Sequence, residues 1–304
     1  MSRLFEGLNG ATTQRSHLDT VPADLVRTKL AETAEGLSDA MPEAIGPTGT
    51  VEPKNVFEIE KARSVLVQSP TTSRLVAWTD PKSLGAEKFR ALAVRLGGMR
   101  RQQKLNSLQV TSSVINEGKS FVASNLAVTF AKYCGSKTLL IEGDLHRPTL
   151  ASMFGLKELQ GLSDWWGGRE QDIARFLVRL HGSTLWFLPA GKTCDRPSDI
   201  LNSARLEEAF TRLADRFDWI VVDSTPMLPV IDANLWSRLV DGTLLVVREG
   251  MAPLKALKNG LQSLDHPKLI GVVVNEASEF DQIDYNGQYY GAGKNGGQRS
   301  EKLR

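Results

Sequence analysis

Short apolar runs alternate with segments of helical pattern over most of the chain. Six runs are rich in Val, Ile, Leu and aromatic residues and contain few polar positions. Runs of this length without polar alternation are typical of strands whose two faces are both covered by helices. The runs read SLQVTS, KTLLIEGD, TLWFLPA, DWIVVDS, GTLLVV and LIGVVVN.

Helical patterns lie before and between these runs. Phe89, Leu92 and Leu96 recur at helical spacing among charged residues, which predicts an amphipathic helix ahead of the first strand. A second helix is predicted at about 120–133. Because strands that alternate with helices form parallel sheets, the sequence predicts a doubly wound, mainly parallel α/β domain over about 80–277, with helices on both faces of the sheet.

Charge and composition divide the chain into zones. Residues 1–60 carry a net charge of −5, which leaves +7 for the remainder of a chain whose net charge is +2. We predict that this acidic leader is largely flexible, with one helix at about 23–37, because it ends in a stretch rich in Gly and Pro. We expect a connecting segment at 61–82, the α/β domain at 83–280, and a flexible tail containing Tyr and Gly at 281–304.

The sequence shows no clear signal for a targeting peptide, a membrane-spanning segment, a disulfide framework or a structural zinc site. Residues 1–10 lack the apolar core of a signal peptide, and no run approaches the ~20 apolar residues that cross a bilayer. We therefore expect a cytoplasmic protein. The two cysteines, Cys134 and Cys194, lack metal-ligand spacing, which argues against a disulfide framework or a structural zinc site.

The first strand run leads into the segment VTSSVINEGKSFVASN at 110–125, which has the strand, loop and helix order of a phosphate-binding loop. The amides of Gly118, Lys119 and Ser120 at the helix start would face a β-phosphate. The ammonium of Lys119 would neutralise the β- and γ-oxygens, and the hydroxyl of Ser120 would bind Mg²⁺.

Acidic residues follow two other strand runs. Asp223 ends DWIVVDS, as a second magnesium-linked carboxylate should, and Glu142 and Asp144 follow the strand KTLLIEGD. Alternatives for each feature are a surface turn at Gly118 to Ser120, a helix N-cap at Asp223, and a loop salt bridge from Glu142 and Asp144 to Arg147. The carboxyl ends of parallel strands meet at one edge of a sheet, so the combination favours a nucleotide site.

These motifs resemble those of the bacterial tyrosine autokinases of capsule and exopolysaccharide biosynthesis, a branch of the P-loop class. SSVINEGKS is similar to the family's S-S-x-P-G-E-G-K-S, and EGDLHRP is similar to D-x-D-x-R-R-P. VVDSTPMLPVIDA is similar to D-T-P-P-V-L-P-x-x-D-A, and RPSDILNSARL to P-S-E-L-L-x-S. The resemblance covers about 83–290.

The resemblance implies a kinase that uses ATP and Mg²⁺, with Glu142 and Asp144 orienting or deprotonating a tyrosine hydroxyl. The implied catalytic residues are Lys119, Glu142 and Asp144, and the implied metal-binding residues are Ser120, Asp144 and Asp223. The implied nucleotide-binding residues are Ser113, Asn116, Glu117, Gly118, Lys119, Ser120 and Phe121.

The resemblance also implies self-association. The family's oligomerisation helix reads E-x-x-R-x-x-R, and Glu87 and Arg90 match its first two positions, while Ala93 takes the place of the second Arg. A run of five basic residues between 90 and 104 either forms a solvated helix face or contacts another subunit or an acidic partner.

The tail carries a tyrosine cluster, as family members do. Tyr285, Tyr289 and Tyr290 are the implied autophosphorylation sites. The implied partners are a transmembrane activator like a polysaccharide co-polymerase, further copies of this chain, and a phosphotyrosine phosphatase. Nucleic acid is not among them. The chain would associate peripherally with the inner face of the membrane through its activator.

Three departures from the family pattern affect the expected activity. Ile115 and Asn116 replace Pro and Gly, and restoring both is expected to tighten nucleotide binding, since Asn tolerates the left-handed conformation at a cost of ~1 kcal/mol. Glu142 replaces Asp and shifts its carboxylate by about 1.5 Å, a misplacement that can cost about 10²-fold in rate, so Glu142→Asp is expected to raise turnover.

Two alternatives to a tyrosine kinase stay open at this point. One is a nucleotide-binding scaffold of the same polysaccharide machinery that is catalytically weak or inactive. The other is a partitioning-type ATPase that acts on DNA or membrane, which ranks lower because Val114 stands where that branch carries a signature Lys.

Overall fold

The computed structural model describes residues 58–67, 74–157, 159–228, 231–251, 259–260, 262 and 268–276. The predicted leader helix at 23–37 and the tail tyrosines lie outside these ranges. Within them, no helix is long and apolar enough to cross a membrane.

In the part of the chain that the structure describes, eight strands form one sheet in the spatial order β1-β4-β5-β3-β6-β2-β7-β8. Neighbouring strands run parallel in every pair except β4 and β5. This arrangement confirms the predicted doubly wound, mainly parallel sheet. The strands are β1 (Arg63–Val65), β2 (Ser107–Ser112), β3 (Thr138–Glu142), β4 (Val178–Leu180), β5 (Leu185–Leu188), β6 (Trp219–Asp223), β7 (Gly242–Arg248) and β8 (Leu269–Asn275).

Helices cover both faces of this sheet. They are α1 (Val76–Thr79), α2 (Leu84–Arg100), α3 (Lys119–Lys132), α4 (Leu150–Met153), α5 (Leu162–Gly167), α6 (Pro197–Leu201), α7 (Ala204–Ala214) and α8 (Asp232–Leu239). The central strand β3 shows how the two layers arise. Leu140 packs into one hydrophobic cluster with α2 and α3, whereas Leu139 and Ile141 pack into another with α5, α7 and α8.

The helix that follows the phosphate loop, α3, is buried over most of its length. Every residue of α3 from 122 to 131 is buried, and Phe130 stacks on Trp219 with ring centroids 4.3 Å apart. On its outer side lies α2, where Phe89 and Leu96 are buried, as the amphipathic pattern predicts. This packing fixes the start of α3 against the carboxyl ends of β2 and β6.

Strands β1 and β4 are elements that the sequence did not reveal. Each has three residues and an Arg at its end or centre, so neither produces a hydrophobic run. Strand β1 lies inside the stretch predicted only as a connection, and it extends the sheet by pairing with β4. The indole of Trp186 in β5 donates to the carbonyl of Ile59 (2.9 Å), which ties this stretch to the domain.

Candidate active site

The carboxyl ends of β2, β3, β6 and β7 open onto one pocket of about 870 Å³. The chain passes from β2 to β3 across β6, and open α/β sheets bind ligands where the strand order reverses in this way. Asp223 pairs in register with Val110 on one side and with Glu142 on the other. The pocket is lined by Arg74, Ile115, Asn116, Gly118, Lys119, Ser120, Phe121, Asp144, His146, Arg147, Thr149, Met153, Thr225, Pro226, Leu228, Arg248 and Met251.

The loop between β2 and α3 has the shape expected of a phosphate loop. Gly118 precedes α3 with φ 97°, and Asn116 has φ 66°. Asn116 thus adopts the left-handed conformation that the sequence analysis expects at the position of the family's Gly. The neighbouring Ile115 is 49% exposed and lies on the pocket wall.

We predict that Asn116→Gly raises the free energy of unfolding by up to about 1 kcal/mol, because Gly adopts positive φ without steric cost. Urea denaturation measures the change. The matched control is Asn202→Gly, since Asn202 has φ −94° and gains nothing from Gly. Equal effects of the two substitutions would contradict strain at Asn116.

The buried carboxylate of Glu117 stabilises the loop through hydrogen bonds. Its side chain is fully buried, and Oε2 accepts hydrogen bonds from the Ser113 hydroxyl (2.9 Å) and the Val114 amide (2.9 Å). Oε1 accepts from the amide of Arg248 (3.3 Å), and the side chain of Asn275 donates to the Glu117 carbonyl (3.0 Å). Ser113 and Glu117 therefore shape the loop, whereas the other predicted nucleotide-binding residues lie on the pocket wall.

Lys119 lies between two carboxylates. Its Nζ is 2.8 Å from Asp144 Oδ2 and 3.7 Å from Asp223 Oδ1, and its side chain is 13% exposed. Burial lowers the pKa of the Lys119 ammonium, but Asp223 and Asp144 outweigh burial, so the pKa lies above its usual value. Lys119 is therefore charged and positioned where a polyphosphate would enter.

Asp223 is a buried carboxylate that lacks a hydrogen bond. Both oxygens are buried, and neither has a hydrogen-bond partner in the described part of the chain. Burial raises the pKa of Asp223 to about 6, against the lowering effect of Lys119. Such an orphaned carboxylate, close to Ser120 and Asp144, fits a cation site.

The donor set is typical of Mg²⁺. No group of three or more His, Cys, Asp or Glu side chains is placed to hold a metal among the described residues. Mg²⁺ is commonly bound by one or two carboxylates together with substrate phosphates and waters, so a larger protein cluster is not required. Ser120, Asp144 and Asp223 are the residues that would hold it.

Glu142 lies next to this site, but its carboxylate is held elsewhere. Oε1 accepts from the amides of Leu150 (2.6 Å) and Ala151 (3.2 Å), and Oε2 accepts from the amide of Ala190 (3.1 Å). Burial raises the pKa of Glu142, and these three hydrogen bonds oppose the rise. Asp144 lines the pocket, whereas Glu142 does not. A role for Glu142 as the catalytic base stays a prediction, and this geometry argues against it.

The geometry gives a new expectation for position 142. Glu142→Asp raises turnover only if Glu142 is a misplaced base, whereas the three hydrogen bonds make it a structural anchor. We therefore expect Glu142→Asp and Glu142→Gln to lower the free energy of unfolding by about 1–3 kcal/mol, since buried amides lose their acceptor. Chemical denaturation checks this, with the phosphorylation rate of folded protein measured in parallel. If Glu142→Asp were faster than the wild-type chain and equally stable, the interpretation of Glu142 as a misplaced base would be supported instead.

Gly143 sets the spacing of the two acids around it. A Cβ at this position would lie 2.8 Å from the indole nitrogen of Trp236 and 2.8 Å from a methyl carbon of Val222. The same indole donates to the Gly143 carbonyl (3.1 Å). Gly143 therefore permits the close approach of Trp236 between two acids whose carboxylates have different partners.

The structure bears on each of the alternative roles that the sequence allowed for Asp223, Asp144 and the segment from Gly118 to Ser120. Asp223 ends β6 and does not cap a helix, because the next helix, α8, begins at Asp232. Asp144 Oδ1 accepts from the backbone amide of Arg147 (3.0 Å). Gly118 to Ser120 form the start of a long helix, so the surface-turn alternative is wrong.

Two residues of the pocket wall, Arg248 and His146, and one residue that contacts the loop, Asn275, were not predicted from the sequence. Arg248 and Asn275 end β7 and β8 at the same edge as the acids, which is the signal that located the acids. His146 stands at the first Arg of the family motif, and its Nε2 lies 2.9 Å from buried Asp232. Any polar residue at the end of a strand, and not only an acidic one, therefore helps to locate the site.

The predicted oligomerisation residues pair with one another. Glu87 and Arg90 form an ion pair within α2, and Arg90 also donates to the Pro81 carbonyl (2.9 Å). Ala93 is buried in the core, so this position offers no side chain to a neighbour. A role for Glu87 and Arg90 in assembly stays a prediction.

The parallel sheet, the phosphate loop and the acidic strand ends define a P-loop nucleotide-binding protein. No family model matches the chain. The chain is 32% identical over 223 residues to "Putative tyrosine-protein kinase CapB" of Staphylococcus aureus, a match that covers 72% of this chain and 95% of CapB. It is 29% identical over 223 residues to tyrosine-protein kinase YwqD of Bacillus subtilis, covering 73% and 92%.

A longer relative and a solved structure are also similar to this chain. The chain is 30% identical over 226 residues to the succinoglycan biosynthesis transport protein ExoP of Rhizobium meliloti, covering 70% of this chain but 28% of ExoP. The crystal structure of the chimerical protein CapA2B2 matches with a TM-score of 0.62 and 27% identity, covering 70% and 92%. The chain belongs to the bacterial tyrosine kinases, and it is a protein-tyrosine kinase.

Proposed function

We propose that this kinase uses Mg-ATP to phosphorylate its own tail at Tyr285, Tyr289 and Tyr290, and that it thereby regulates the polymerisation or export of a surface polysaccharide. The observation that carries the proposal is the buried, hydrogen-bond-free carboxylate of Asp223 beside Lys119 at the start of α3. That arrangement is suited to a triphosphate with a bound cation.

Catalysis by this site is mainly positioning and charge stabilisation. The amides at the start of α3 and the ammonium of Lys119 bind the β- and γ-phosphates. Ser120, Asp144 and Asp223 would hold Mg²⁺, which would supply positive charge beside the transferred phosphoryl group when bound. Asp144, on the pocket wall, also orients the tyrosine hydroxyl toward the γ-phosphate.

Several partners follow from this function. The names of ExoP and CapA2B2 support a transmembrane activator like a polysaccharide co-polymerase, since ExoP is far longer than its matching region. The activator would hold the kinase at the inner face of the membrane. Phosphorylation between subunits requires a homo-oligomer, and reversal requires a phosphotyrosine phosphatase. Nucleic acid has no role in this scheme.

Phosphotyrosine mass spectrometry on the full chain with Mg-ATP tests the proposal, alone and with a candidate activator. A second arm mixes a Lys119→Met chain with a chain that lacks residues 284–304 but keeps its site. We expect phosphotyrosine on the Lys119→Met chain, because transfer occurs between subunits. Absence of phosphotyrosine from every arm would favour the other candidate.

That candidate is a nucleotide-binding scaffold of the polysaccharide machinery. The observation that favours it is the altered apex of the loop, where Ile115 and Asn116 replace Pro and Gly. A scaffold would bind Mg-ATP with an affinity similar to that of a kinase and would leave its tail unmodified.

A further inference from the structure

Arg248 joins the phosphate loop, the pocket and the chain beyond β8. It is the last residue of β7, and its amide donates to the buried carboxylate of Glu117. Arg248 lines the pocket, its side chain is 37% exposed, and its guanidinium forms an ion pair with Glu276. A cation on the pocket wall is thus held by the first residue after β8.

The end of β8 also contacts the phosphate loop directly. The Asn275 side chain donates to the Glu117 carbonyl (3.0 Å), and a Cβ on Gly118 would lie 2.2 Å from the Asn275 amide nitrogen. Glu276 follows with φ 52°, a backbone conformation that costs energy for a residue with a side chain. The end of β8 therefore lies against the phosphate loop.

Lys119 and Arg248, two of the cationic residues on the pocket wall, differ in how firmly their side chains are held. Lys119 is paired with two carboxylates that are at most 7% exposed. Arg248 is paired with Glu276, which is 46% exposed, and ion pairs at this level of exposure contribute about 0–1 kcal/mol. A polyphosphate can therefore replace Glu276 as the partner of Arg248, since guanidinium groups bind phosphate oxygens in bidentate fashion.

We propose that Arg248 contacts the bound nucleotide and gives up its ion pair with Glu276 when it does, so that nucleotide binding frees the first residue after β8. The inference rests on the proposed function, because it assigns a further positioning residue to the same nucleotide site.

A double-mutant cycle on the full chain tests the inference, with Mg²⁺ and a non-hydrolysable ATP analogue as the probe and calorimetry as the measurement. We expect Arg248→Gln to weaken binding about tenfold, because a charge-assisted contact is lost. Glu276→Gln should tighten binding a few-fold, because Arg248 no longer has a competing partner. The double variant should match Arg248→Gln.

Arg212→Gln is the matched control, since Arg212 pairs with Glu208 on the surface of α7 and is absent from the pocket wall. It should bind like the wild-type chain. Thermal unfolding without probe shows whether each variant is folded. A purely structural Arg248 would change stability but would not make Glu276→Gln bind more tightly.

Hydrogen exchange of the peptide that contains residues 269–276 gives a second measurement. The probe should raise exchange near Glu276 in the wild-type chain and leave it unchanged in Arg248→Gln, while Glu276→Gln should exchange fast throughout. Wild-type affinity in Arg248→Gln, or additive effects of the two substitutions, would overturn the inference alone. Failure of the wild-type chain to bind the probe would instead overturn the proposed function.

Discussion

Lys119→Met should reduce the affinity for Mg-ATP by at least about 10²-fold and abolish phosphorylation by the variant's own site, since breaking a buried charge pair costs roughly 2–5 kcal/mol. The ammonium is the group that lies between Asp144 and Asp223. Without it, the charge of these two buried carboxylates is no longer offset at the start of α3, and it repels incoming phosphates. Calorimetric titration with Mg-ATP measures the loss.

Lys132→Met is a suitable control, because Lys132 ends the same helix and contacts the ring of Trp78, far from the pocket wall. It should keep wild-type affinity. If Lys119→Met bound Mg-ATP within twofold of the wild-type chain, the phosphate-loop interpretation would have to be given up.

Asp223→Asn should have opposite effects on stability and on ligand binding. The pKa of Asp223 is about 6 in the folded protein, above its ordinary value of 3.8, so the folded state binds more protons than the unfolded state between these values. The free energy of unfolding therefore falls as pH rises from about 4 to about 6. The carboxylate is charged and costly at neutral pH, and Asn removes that cost.

We therefore expect the melting temperature of Asp223→Asn at pH 7 to exceed that of the wild-type chain by a few degrees, with a smaller difference at pH 4. Mg-ATP should stabilise the wild-type chain at pH 7 and leave Asp223→Asn almost unchanged, because the cation loses its buried ligand. Differential scanning calorimetry with and without Mg-ATP checks both points. Asp199→Asn, at a surface ion pair, is the control. A variant less stable than wild type at pH 7 would refute the interpretation.

The central fold could be predicted because its signals are local. Apolar runs predicted the strands β3, β5, β6, β7 and β8, and the run SLQVTS ahead of the phosphate loop predicted β2. The spacing of loop and helix predicted α3 to within a residue. The placement of Lys119, Asp144 and Asp223 followed from one physical rule, the convergence of strand ends in a parallel sheet.

The remaining features depend on contacts between residues far apart in the chain. The carboxylate of Glu142 is directed by the amides of Leu150, Ala151 and Ala190, and no local pattern reveals where those amides lie. Arg248 joins the pocket because β7 is the neighbour of β2, which sheet order decides. Side-chain direction at a strand end is therefore harder to predict than the position of the strand end.

The anchoring of the phosphate loop by Glu117 has a consequence for how this protein can vary over evolution. One buried carboxylate holds Ser113, Val114 and the end of β7 together, so the shape of the loop does not depend on a rigid Pro at its apex. Residue 115 is then free to vary, whereas residue 116 is limited to residues that tolerate positive φ. The half-exposed Ile115 becomes a position where new contacts with a partner can arise without loss of the fold. Glu117 is the constrained position instead, because its replacement would remove the hydrogen bonds that hold Ser113, Val114 and the end of β7 together.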